Sequence, residues 1–241
     1  MKKIFTILLL LAALLSAATP EQVERYLMLS HAEEELLDLE SSFAAMQRRM
    51  DAKDDNGSSY DTELLTVRFR ERLQQLLSES EMEKVLDNYK NETLLKFVYE
   101  SSDPEGDYLE IRKYAKEAKA DPELESRLKI VQKINTYYSK PEVITQMFDT
   151  LIIPIIKRMK SKNSDNKSIK KMRERYIKSM TENGYNQILY ATREFSTEEL
   201  DTMLKISETP AMGYETKAVY AAMAYAMQEF MEVMADRMGH R

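Results

Sequence analysis

The residues of this chain whose type and spacing point to chemistry are thioethers. Met223, Met227, Met231, Met234 and Met238 recur every three or four positions near the C-terminus. At 100° per helical residue they share an arc of ~80°. Thioether sulfur is a soft donor suited to Cu(I), and His240 follows two residues later. Yet Val219, Ala226 and Phe230 flank the stripe, while Glu229, Glu232 and Asp236 face away. That pattern reads first as core packing, in which Met fills irregular gaps. The second use of such a face is an adaptable docking surface for a partner helix or peptide. A metal site is not expected.

A second candidate is apolar. Leu151-Ile152-Ile153-Pro154-Ile155-Ile156 points side chains all round a helix axis, so this segment is expected to be buried on most sides. Pro154 deletes one backbone hydrogen bond and predicts a kink. A kink there opens the option of an apolar pocket for a lipid or acyl chain; a packed, bent helix is the plainer reading.

Other motifs fall short. With Gly57 as sixth position of a calcium loop, Asp54, Asn56, Ser58 and Glu63 stand at ligand positions, but Ala52 occupies the first, where a carboxylate is required. Asn56 also opens an Asn-x-Ser sequon preceded by Asp54. Ser-x-x-Lys occurs at Ser126/Lys129 and Ser168/Lys171, but no Lys-Thr-Gly follows. His31 sits beside Glu33, Glu34 and Glu35 without a second His at helical spacing, and reads as a surface side chain. Tyr137 and Tyr138 read as solvated or snorkelling positions. No acid–base pair stands out among the 41 acidic residues. The chain is read as non-enzymatic, with no catalytic residue and no cofactor.

Composition narrows the classes further. The chain has 241 residues, 35 basic against 41 acidic, with no Cys and no Trp. Disulfides, thiolate metal sites and Cys nucleophiles are thereby excluded. Five glycines argue against Gly-rich phosphate loops and many-turned β-sandwiches. The acidic balance argues against nucleic-acid binding and against docking on anionic lipid. Met1-Lys2-Lys3, the apolar run 4–15 and then Ser16-Ala17-Ala18 fit a signal peptide cut after Ala18. The run is short for a membrane span. A periplasmic destination without stable membrane insertion is expected.

The elements that must position these residues are helices. Cap-and-Glu/Gln pairs, which satisfy unpaired helix N–H groups reciprocally, occur at Thr19/Gln22, Ser30/Glu33, Ser78/Glu81, Ser139/Glu142 and Ser196/Glu199. Thr19-Pro20, Asp103-Pro104, Asp121-Pro122 and Thr209-Pro210 add proline at the first helical position. No alternating strand pattern stands out. The fold class is all-α.

The caps recur in order. Ser30 and Glu33 match Ser139 and Glu142, and at the same spacing Leu39, Phe43, Met46 and Met50 match Phe148, Ile152, Ile155 and Met159. Polar stretches 51–59 and 160–167 follow. Then Leu77-Ser78 with Met82 matches Phe195-Ser196 with Leu200, an apolar staple around each cap. Between these anchors the spacing grows by about nine residues; ~900° of helix rotation ends half a turn off. The insertion is therefore predicted in a loop or break, with Asn183-Gly184 as terminator. Two tandem divergent units are expected, 19–125 and 126–241, after a signal peptide at 1–18. The closing helix of the second is predicted to run unbroken from Pro210 to about Met238.

Tyr26-Leu27-Met28-Leu29-Ser30 with its acidic helix, and Phe195-Ser196-Thr197-Glu198-Glu199-Leu200 with Thr209-Pro210 and Gly213, resemble a domain-of-unknown-function family of secreted bacterial helical proteins. The second unit carries more of the pattern, and the first lacks the Pro-Gly turn. The resemblance implies an all-helical periplasmic domain and no assigned catalytic residues. The functional expectation is an envelope binding protein that meets a protein or peptide through Met223, Met227, Met231, Met234 and Met238. The alternative is an apolar-ligand carrier at Pro154.

Overall fold

The structure, a computed structural model, describes residues 16–51, 60–102, 108–158 and 165–239. The sequon at Asn56, most of the calcium-like loop, Asp103-Pro104 and His240 lie outside the described residues, as do the side chains of Met50 and Met238. Eleven α-helices account for most of what is described: α1 (Pro20–Ser30), α2 (Ala32–Asp51), α3 (Leu64–Leu76), α4 (Glu79–Asn88), α5 (Glu92–Ser101), α6 (Tyr108–Ala120), α7 (Glu125–Tyr138), α8 (Pro141–Arg158), α9 (Asn166–Ala191), α10 (Thr197–Ser207) and α11 (Pro210–Gly239). A 3-10 turn, Pro122–Leu124, precedes α7. Among the described residues there is no strand beyond a single bridge, Ala17 to Ser78, and no helix long and apolar enough to cross a membrane.

Local chemistry sets most boundaries. Thr19, Ser78 and Ser196 each close a capping box with Gln22, Glu81 and Glu199. The staples form as well, with Leu77, Met82, Phe195 and Leu200 all buried. Thr209 Oγ1 accepts from the Met212 N–H at the head of α11, which runs unbroken from Pro210 as expected. Two boxes do not form. Ser30 is the last residue of α1, and His31, at φ 55°, turns the chain left-handed into α2. A helical Ser30 cannot take the extended backbone of an N-cap. Ser139 ends α7 instead of starting α8, and its hydroxyl donates to Asn135 Oδ1 at 2.8 Å.

The expected break at Asn183-Gly184 is also absent: α9 passes straight through it. Gly184 serves close approach. A Cβ there would stand 2.5 Å from Ser139 Oγ and 3.1 Å from Asn135 Oδ1. The glycine lets the α7–α8 corner sit against α9, where Asn135 Nδ2 donates to the Thr181 carbonyl at 3.1 Å. The helix α9 has 26 residues where α3 has 13, and the link 192–196 replaces the shorter 77–78. Arg127 of α7 holds that link by donating to the Thr192 and Phe195 carbonyls, a cation at a helix C-terminus.

Helix order and packing recur between the halves. The pair α1–α4 has its counterpart in α7–α10, α1–α3 in α7–α9, and α2–α3 in α8–α9. Each half's fifth helix also crosses to the other half: α11 packs on α3 and α4, and α5 packs on α9 and α10. The long α11 lies between α3 and α8. Buried Ala218, Ala222, Ala226 and Ala235 on α11 leave room for close helix approach. Core residues from Ala18 to Met234 form one cluster running through both halves. The segment before α1 belongs to it: the Ala18 N–H donates to the Leu77 carbonyl, the Glu79 N–H to that of Ser16, both at 2.9 Å, and Ala18 is buried.

Candidate functional site

The Met stripe of α11 faces inward. Met234 is buried, while Met223, Met227 and Met231 are half-buried and pack on the core. Beside them Phe230 stacks on Phe43 from α2, ring centroids 3.9 Å apart, and meets Tyr60 edge-on. Pro154 lies within a continuous α8. Leu151 is buried, but residues 152–156 are only half-buried, because α8 meets α9 and α11 on one side and leaves the other open.

The first turns of α11 hold a polar centre that no sequence motif marks. Glu215 is buried. Its Oε1 accepts from the Tyr26 hydroxyl of α1 at 3.0 Å and from the Tyr89 hydroxyl just after α4. The two rings meet edge-on at 5.7 Å. Glu215 Oε2 has no hydrogen-bond partner among the described residues, and neither has the buried Tyr138 hydroxyl. Tyr138, expected at the surface, closes α7 near Glu215 and Ser207. No basic side chain pairs with Glu215 among the described residues. Burial pushes its carboxyl up to about 7, while the two phenols, which favour the anion, pull the other way. Burial and the same carboxylate push the hydroxyls of Tyr26, Tyr89 and Tyr138 well above their usual range. A sequence signal existed: Glu215 sits at helical spacing from Ala211, Met212, Ala218 and Ala222, all buried.

Tyr138 also lines a cavity of about 460 Å³ that opens to solvent. This lies in the range of small-ligand sites. Phe97 and Glu100 come from α5, Ile111 from α6, Tyr138 from α7, Ile188 and Tyr190 from α9, Tyr220 from α11 and Glu35 from α2. The Phe97 ring lies 5.9 Å from Tyr138. Gly184 forms part of the wall, so the close approach that excludes a Cβ there also shapes the cavity. Glu100 pairs with Arg193 at 3.5 Å, and the guanidinium lies over the Tyr190 ring at 4.2 Å. Neither the Met stripe nor Pro154 lines this cavity. No cluster of His, Asp or Glu among the described residues has the geometry of a metal site.

No protein-family model, curated protein or solved structure matches this chain.

Proposed function

We propose that this chain is an exported, non-enzymatic helical binding protein of the bacterial envelope, made of two tandem divergent units, 19–125 and 126–241. Its binding site is the groove between α5, α7, α9 and α11. The observation that carries this reading is the open cavity of about 460 Å³, walled by aromatic rings with a few polar groups. Recurrent helix order, two matched staples and paired packing in the halves support duplication. The double-Lys start and the apolar run 4–15 support export. The Met face of α11 serves packing, so the ligand, free or presented by an envelope protein or peptide, enters the groove instead.

Native mass spectrometry of the full chain from its own envelope tests the groove. Wild type is expected to retain a small-molecule adduct that Gln187→Trp, at an exposed position of the cavity wall, loses. N-terminal sequencing of the same sample reads export; an intact Met1 would remove it.

A further inference from the structure

We propose that the groove takes an organic cation, an amine or quaternary ammonium on an apolar body, with Glu35 as its counter-ion. This rests on the groove being the binding site. The charged side chains lining the cavity are both acids, Glu35 and Glu100. Glu100 already has its cation: Arg193 lies between that carboxylate and the Tyr190 ring, at 3.5 and 4.2 Å. The protein thus holds a guanidinium of its own at this cavity by one carboxylate and one aromatic face, the two attractions that recognise cations out of water.

Glu35 presents the same ingredients without the cation. Its neighbours on α2 are engaged: Glu33 with Arg70, Glu34 with His31 at 3.2 Å, and Glu40 with the Thr66 N–H at 2.9 Å. Among the described residues no Lys or Arg pairs with the Glu35 carboxylate. Burial pushes its carboxyl up, His31 pulls the other way, and Asp38 nearby adds to the negative potential. The same cavity offers Phe97, Tyr138 and Tyr220 as aromatic surface. A ligand with a positive head and an apolar or aromatic body would meet both features at once. An anionic ligand would face two carboxylates and no lining Lys or Arg.

The test uses three probes of one shape: 4-phenylbutylamine, 4-phenylbutanol and 4-phenylbutyrate, titrated calorimetrically into the full chain at pH 8. The ammonium probe is expected to bind on the order of tenfold more tightly than the alcohol, and the carboxylate probe most weakly. Glu35→Gln is expected to bring the ammonium probe down to the alcohol's affinity while leaving the alcohol's affinity unchanged and without lowering the melting temperature. Gln187→Trp is expected to weaken amine and alcohol together. Equal affinity of amine and alcohol, with Glu35→Gln without effect, would overturn the cation assignment and leave the groove reading standing. Equal weakening of both by Glu35→Gln would overturn the role given to Glu35. Absence of binding by all three probes would overturn both the cation assignment and the groove.

Discussion

Tyr138 lies near the buried Glu215 and also lines the open cavity with Glu35, and the two carboxyls are kept by different means. Glu215 is sealed in the core with phenols for partners, and its environment opposes charge. Glu35 lies at the wall of an open cavity, where partial burial pushes its carboxyl up as well, against the pull of His31. The difference teaches where each acts. A carboxyl whose ionisation is penalised couples protonation to folding. A carboxylate at a cavity wall with no Lys or Arg paired to it is open to a ligand that brings the cation.

The largest effect is expected from pH. Glu215 has its folded pKa raised from 4.5 to about 7. A raised acid favours the fold in its neutral form. The contribution is whole below the unfolded value and is lost as pH rises through 7, about 3 kcal/mol in all. Chemical denaturation at pH 5 and pH 8 is expected to show this loss in wild type and little of it in Glu215→Gln. Equal slopes in the two proteins would place Glu215 outside the linkage.

The cavity wall at Gly184 comes next. Gly184→Ala drives a Cβ against Ser139 Oγ and is expected to cost about 2 kcal/mol by overpacking. Ser139→Gly in the same chain is expected to recover part of it. Denaturant midpoints read both, and no recovery would mean that the approach is set elsewhere.

Tyr89→Phe sharpens the sealed side. It removes one donor from Glu215 Oε1 and is expected to lower stability by about 1 kcal/mol. With less support for the anion, the pH at which stability falls is expected to move upward. On the open side, Glu100→Gln breaks the half-exposed pair with Arg193 and is expected to cost under ~1 kcal/mol. A cost near that of the Glu215 effect would erase the contrast.

What was legible in the chain follows from range. Thr19, Ser78 and Ser196 made their boxes because a box needs only residues three apart. Ser30 and Ser139 offered the same pattern and failed for non-local reasons: a left-handed His31 joins α1 to α2, and Ser139 is drawn against Gly184 across the fold. The Met stripe was legible as one face of a helix because its period is helical. The groove was not, because it draws on helices scattered from α2 to α11, and no stretch of chain contains it. Tyr138 shows the gap most plainly: beside Tyr137 it looks like a surface pair, yet α7 turns its hydroxyl into the core. Glu215 was within reach, as an acid at the spacing of an otherwise apolar face.

The measurement closest to the central claim is a crystal structure of the full chain grown with 4-phenylbutylamine. The expected result is the phenyl ring among Phe97, Tyr138 and Tyr220, with its nitrogen within ~4 Å of the Glu35 carboxylate. An empty cavity, or the amine seated on the outer surface of another helix, would contradict the account.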